Sequence, residues 1–198
     1  MTEGAARAKT RYDWFMTEAA RIGMTVNEYL RWDGEGDQRQ ELIDGVPRAM
    51  APPSEAHGTL VMNLGWEIRS RLDPRCRTVA DAGIVAPRRA DTFFVADLAV
   101  TCQEARPEAR HVEKPLVLVE VLSPSTEIND RGVKLPEYLL LPSLEGVLLV
   151  SSTERRVQLW RREGDHWIVQ DLIGQAEVVL PRLSSPIPFS AIYLNVAM

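Results

Sequence analysis

Cysteine, lysine and histidine are scarce in this chain. Two cysteines, Cys76 and Cys102, and three histidines occur among 198 residues. The cysteines make no CxxC pair and no disulfide framework, which excludes a cysteine-built metal site and makes a reducing cytoplasm the expected home. They read as small apolar residues of the interior. No uncharged apolar run approaches the ~18 residues that a membrane span needs, and mean hydropathy is −0.17. Residues 1–10 carry basic side chains without an apolar stretch behind them, which is not the pattern of a secretory signal. Positive charge is also short: 23 Lys and Arg against 28 Asp and Glu give a net charge of −5. That balance argues against a tight, sequence-indifferent hold on nucleic acid. Lys9, Lys114 and Lys134 are the only lysines, and every other basic residue is arginine.

What is present is ordinary globular material, 45% hydrophobic and 26% charged. A chain of this length buries roughly 70% of its unfolded surface, enough for one stable core. Residues 1–23 read as an N-terminal extension whose Tyr12, Trp14 and Phe15 need burial on the body or on a second subunit. Residues 24–198 read as a single domain.

Thr25-Val26-Asn27-Glu28 matches a capping box, so a helix is expected from Thr25 to Trp32, stopped by the Gly-rich residues 33–36. Glu41 to Val46 places Asp44-Gly45 between two short extended runs, the signature of a tight hairpin. Ser54 is a natural N-cap. Behind it Leu60, Leu64, Ile68 and Leu72 recur at helical spacing up to Asp73-Pro74. Strands are expected at Cys76–Ala80, Ile84–Ala86 and Phe93–Val100. Leu116 to Leu122 is apolar on both faces, which suits a central strand. A helix is expected from about Ile128 to Leu141, with Pro136 near its start. Three strands follow, at Gly146–Val150, Arg156–Arg161 and Trp167–Ile173. The sum is α/β: a mixed central sheet flanked by helices.

The chemistry-bearing residues are the acids placed where apolar side chains belong. Glu120 interrupts Leu116 to Leu122, and Asp97 interrupts Phe93 to Val100. A buried carboxylate is unfavourable by several kcal/mol, on the order of 3–5, unless something compensates it. On neighbouring strands the two acids could share a divalent cation, and hard oxygen ligands suit Mg²⁺. Alternatively each pairs with an arginine. Arg69, Arg71, Arg75 and Arg77 are either a phosphate-tracking patch or a solvated helix end. Trp160 and Trp167 read as core or dimer contacts.

Four strings occur in a fixed order: Glu41-Leu42-Ile43-Asp44-Gly45, Val95-Ala96-Asp97-Leu98-Ala99-Val100, Val119-Glu120-Val121-Leu122-Ser123-Pro124-Ser125-Thr126, and Asp130-Arg131-Gly132-Val133-Lys134-Leu135-Pro136-Glu137-Tyr138. Together they resemble the bacterial putative restriction endonuclease family, also called the Uma family, a branch of the PD-(D/E)XK nuclease superfamily. The resemblance implies a restriction-endonuclease-like fold and a Mg²⁺-dependent endonuclease, with Mn²⁺ as a substitute cation. It implies DNA as substrate and a homodimer, since duplex cutting takes two sites. By position, Asp97 matches the aspartate of the "PD" and Glu120 the following acid. Both would be metal ligands, joined by the Val121 carbonyl. Lys134 matches a lysine displaced from the usual place, which Leu122 occupies here. Glu41 matches a further ligand or base, and His57 a histidine of the helix after Pro52-Pro53. Ala96 stands where proline is usual, Pro136 follows Lys134 closely, and Ser151-Ser152 replaces a common aspartate. The competing class is a catalytically silent protein on this scaffold that binds nucleic acid or a protein; hydrolysis of another phosphodiester is the third.

Overall fold

A computed structural model of the chain describes residues 23–32, 39–174 and 176–198. The expected extension lies outside the described residues apart from Gly23, and so does the Gly-rich stop. Thr25 caps the first helix, α1 (Val26–Tyr29), with the reciprocal hydrogen bonds of a capping box to Glu28. A single turn beyond Tyr29 replaces the longer helix expected there. Strands β1 (Gln40–Ile43) and β2 (Val46–Ala49) form the hairpin around Asp44-Gly45. Both turn residues have positive φ, 54° and 74°, the twist that two-residue hairpins prefer. Gly45 is required twice over, because a Cβ there would also sit 2.5 Å from the Gly23 Cα.

Ser54 accepts a hydrogen bond from His57 N–H and opens α2 (Glu55–Arg71), whose Leu60, Leu64 and Ile68 are fully buried. The chain then forms β3 (Arg77–Val85), β4 (Phe93–Thr101) and β5 (Val117–Leu122). A helical run follows in three pieces: α3 (Glu127–Asn129), a π turn (Asp130–Lys134) and α4 (Leu135–Tyr138). After it come β6 (Gly146–Ser151), β7 (Arg156–Glu163) and β8 (His166–Ile173). A small pair, β9 (Glu177–Val178) and β10 (Ile187–Pro188), and the helix α5 (Phe189–Ile192) complete the fold.

One eight-stranded sheet runs β2-β1-β4-β5-β6-β7-β8, with β3 on the other edge of β4. β5 and β6 are parallel and the remaining pairs antiparallel, so the sheet is mixed as expected. Val117, Val119 and Val121 of β5 face a core built with α2 and α5, while Leu118 and Leu122 face one built with the 127–138 run. Helices therefore cover both faces, and β5, apolar on both sides, lies inside the sheet.

Three expectations change. The two strands predicted over residues 76–86 are one strand, whose ladder to β4 skips Asp81 and Asp97; Asp81 has a φ of 51°. Cys76 and Cys102 are not separate apolar residues: they sit side by side past the Arg77↔Thr101 pairing and form a disulfide, and Cys102 is exposed. The cysteine-based reason for expecting a reducing compartment thereby falls away. The helix expected over 128–141 contains a π turn just before Pro136. Pro136 has no N–H to offer the carbonyl four residues back, and the widened turn instead bonds Leu135 N–H to the Asp130 carbonyl. Among the described residues no helix is long and apolar enough to cross a membrane.

Of the four clustered arginines, Arg71 pairs with Glu67, Arg75 with Asp73, and Arg77 with the Gln103 carbonyl, which favours the solvated helix end. Trp160 and Trp167 pack against the core on the 127–138 side. The interior of α2 anchors its layer. Truncating Leu64 to alanine should lower the unfolding free energy by about 3 kcal/mol with an unchanged urea m-value. Urea denaturation showing a loss below about 1 kcal/mol would contradict the buried position given to this helix.

Candidate active site

The site begins as a gap in hydrogen bonding. On the edge of β4 that faces away from β3, β5 pairs with Leu98, Ala99 and Val100, and β1 pairs with Phe93. Between these pairings no strand completes that edge among the described residues. Buried backbone groups must nevertheless find partners. Here side chains supply them. Val95 N–H donates to Glu41 Oε1 at 2.9 Å, the Val95 carbonyl accepts from Lys134 Nζ at 3.0 Å, and Asp97 N–H reaches Glu120 Oε2 at 3.4 Å. From β5, Val121 N–H donates to Asp97 Oδ2 at 2.7 Å.

Each functional side chain arrives on a separate element. Glu41 comes from β1, Asp97 from β4, Glu120 from β5, and Lys134 from the π turn. His57, in the first turns of α2, places Nε2 3.2 Å from Asp97 Oδ2. Its Nδ1 is buried with no hydrogen-bond partner among the described residues. Lys134, 3% exposed, lies 2.9 Å from Glu41, 3.2 Å from Asp130 and 3.4 Å from Glu120. Tyr138 donates its hydroxyl to Glu120 Oε1 at 2.7 Å. All five side chains predicted from the sequence are thus brought together, and no arginine clasps either central acid among the contacts of the described residues.

Two members of the cluster were not singled out from the sequence: Asp130 and Tyr138. Their signal was the spacing, because residues 130, 134 and 138 recur every four positions on one helical face. The π turn and the helix after it carry all three inward. Lys134 reaches Glu120 at 3.4 Å, and its shorter contacts are with Glu41, the Val95 carbonyl and Asp130.

The electrostatics follow from crowding acids in a dry place. Burial pushes the Glu120 carboxyl up to about 8; Lys134 draws it down, while Asp97 and Asp130 push it up further. Burial likewise raises Asp130 against the pull of Lys134. Burial opposes the charge on Lys134, but Glu120, Glu41 and Asp130 together hold its ammonium above the ordinary lysine value. Burial and the neighbouring Glu120 hold the Tyr138 phenol well above its own.

Glu41, Asp97, Glu120 and Asp130 outnumber the cations that face them, Lys134 and His57, even with the imidazole protonated. A further positive charge is what this cluster lacks. The donors are hard oxygens: Asp97, Glu120 and the Val121 carbonyl, which shares the β4-facing side of its strand with the Val121 N–H. Glu41, predicted as a fourth ligand, is occupied by Val95 and Lys134. Among the described residues no three His, Cys, Asp or Glu side chains form a closed metal cage. An open set of one or two carboxylates fits Mg²⁺, which keeps waters and completes its shell on phosphate oxygens.

A family model described as "Putative restriction endonuclease" (Uma2) matches residues 26–197. The chain belongs to that family. Two proteins of Synechocystis sp., both described as uncharacterized, are similar along most of their length. One, slr1290, is 28% identical over 177 residues, covering 88% of this chain and 93% of its own. The other, sll1609, is 25% identical over 157 residues, covering 77% and 89%. The crystal structure of a putative nuclease belonging to DUF820 from Anabaena variabilis superposes with a TM-score of 0.71 at 18% identity. It covers 86% of this chain and 97% of that one. This last likeness shows the fold: the mixed sheet and its flanking helices are common to both.

The raised Glu120 has a signed consequence for stability. Between the ordinary value of 4.5 and about 8 the folded state holds more protons than the unfolded state, so this group weakens the fold as pH rises through that window. In metal-free buffer, Glu120→Gln should gain stability relative to wild type across it, by up to about 1.4 kcal/mol per pH unit. Thermal melts of both proteins at a series of pH values read this directly, and parallel curves would refute the shift.

Proposed function

We propose that this chain is a Mg²⁺-dependent endonuclease hydrolysing DNA phosphodiester bonds, with Mn²⁺ able to substitute. The observation that carries the reading is the meeting of Asp97 and Glu120 where β4 and β5 part, in a buried cluster short of positive charge. Membership of a family described as putative restriction endonucleases supports it. Asp97, Glu120 and the Val121 carbonyl would hold the cation, which when bound supplies charge neutralisation at phosphoryl oxygens and a water of lowered pKa.

The remaining roles belong to the chain's own groups. Lys134 holds Glu41 and Glu120 in place and offsets part of their charge, drawing Glu120 down against the burial that raises it. His57 anchors Asp97 through Nε2 and can carry a proton beside the reacting phosphate. The wall of apolar side chains around β4 and β5 keeps bulk water out, which strengthens every charge interaction inside. Cutting both strands of a duplex takes two such sites, and a homodimer is the assembly we propose; among the described residues β8 ends the sheet as an edge strand.

One observation favours a second reading, a silent nuclease fold. Lys134 bridges Glu41, Glu120 and Asp130, as it would in a purely structural ion cluster. Supercoiled plasmid incubated with Mg²⁺, with Mn²⁺ or with EDTA separates the two. Wild type should nick and linearise it only with a divalent cation. Asp97→Ala and Lys134→Met should each lose about 10²-fold or more. Wild-type protein that binds Mn²⁺ in calorimetry yet leaves plasmid, single strands and RNA intact would establish the silent reading instead.

A further inference from the structure

Lys134 is the obvious partner for Glu120, but its bond to that carboxylate is a long one. An ammonium has three N–H donors. Around Lys134 Nζ, Glu41 lies at 2.9 Å, the Val95 carbonyl at 3.0 Å and Asp130 at 3.2 Å, and Glu120 Oε1 is the farthest acceptor at 3.4 Å. Lys134 does bond Glu120 Oε1, but as the longest of the four contacts that its three donors share. On the other oxygen, Asp97 N–H reaches Oε2 at 3.4 Å, too long to fix a rotamer. The short contact to Glu120 is the Tyr138 hydroxyl on Oε1, at 2.7 Å.

We propose that Tyr138 is the positioning residue of this site: its hydroxyl binds Glu120 Oε1 and thereby turns Oε2 toward Asp97. The phenol suits the task. Its ring is fully buried and meets Phe94 edge-on, with centroids 5.7 Å apart and planes at 88°, so the hydroxyl cannot swing away. A hydroxyl both donates and accepts, and it keeps hold of the carboxyl whether that group is ionised or protonated. The π turn is part of the device. It lets Asp130, Lys134 and Tyr138 all face inward from one short helical run despite Pro136. Asp130 engages the lysine and Tyr138 engages the acid, which leaves Glu120 Oε2 with only the long contact to Asp97 N–H. Partners of this kind typically change metal affinity by about 10–100-fold when removed.

The metal-affinity arm rests on the cation-binding reading proposed above; the spectroscopic arm does not. Tyr138→Phe keeps the ring and its seat on Phe94 and deletes only the hydroxyl. In the full-length chain this variant should melt cooperatively and bind Mn²⁺ about 10-fold or more weakly in calorimetry. Even without metal it should shift the Glu120 carboxyl ¹³C resonance, assigned by its absence from Glu120→Gln. Phe189→Leu, in the core on the opposite face of the sheet, is the packing control: it should lower the melting temperature and leave Mn²⁺ affinity and the Glu120 resonance in place. Should Tyr138→Phe fail to fold, the wild-type phenolic proton serves, since a hydroxyl bonded to Glu120 exchanges slowly and loses that protection in Glu120→Ala. Wild type that binds no Mn²⁺ removes the cation reading, and the carboxyl shift then still supports the positioning contact. An unmoved Glu120 resonance in Tyr138→Phe, or a phenolic proton indifferent to Glu120→Ala, overturns the proposal.

Discussion

The structure turns on an unfinished strand edge. β4 is buried along its whole length, yet among the described residues one stretch of it lies between the end of β5 and the end of β1 with no strand to pair against. Unpaired buried peptide groups are among the most unfavourable features a fold can carry. Regular pairing would have satisfied them and left no room for chemistry. Instead Glu41, Glu120 and Lys134 reach in and bond the backbone of Val95 and Asp97. The acids are tolerated in the core because they replace missing backbone partners, and the gap is tolerated because they do.

That exchange explains why so many elements converge on one small volume. A carboxylate that caps a strand edge needs a cation near it, and Lys134 answers three of them at once. A buried ammonium in turn has to be aimed, which the π turn accomplishes at Asp130–Lys134. Breaking one member of such a network leaves the others with uncompensated charge, so the cluster behaves as a unit and not as separable pairs. The irregularity at Asp81, opposite Asp97 on β3, belongs to the same place in the sheet.

Much of this was legible in the residues themselves. Alternation and helical spacing gave the hairpin at Asp44-Gly45, the helix behind Ser54, the buried central strand and the mixed α/β class. A single acid inside each of two apolar strands was a strong local anomaly, and the ordered strings around Asp97, Glu120 and Lys134 pointed to one family. Strand continuity through Asp81 was less legible. Turn-like composition there reads as a break, whereas the ladder to β4 carries the strand across it. The cysteine pair was illegible for a related reason: 26 residues separate Cys76 from Cys102, and only the pairing of β3 with β4 brings them opposite.

By itself, then, the sequence determined which segments bury which faces, and which two acids had to be compensated. Those facts are local: they follow from the period of apolar residues and from the unfavourable transfer of a charge into a core. Tertiary structure alone decided what compensates each acid. Whether Lys134 met Asp97 or Glu41 depended on where a helical run crosses the sheet, and that Tyr138 makes a shorter bond to Glu120 than Lys134 does depended on differences of a few tenths of an ångström among acceptors. A lysine has three donors wherever it is written in a chain. Which acceptors it finds is a property of the fold.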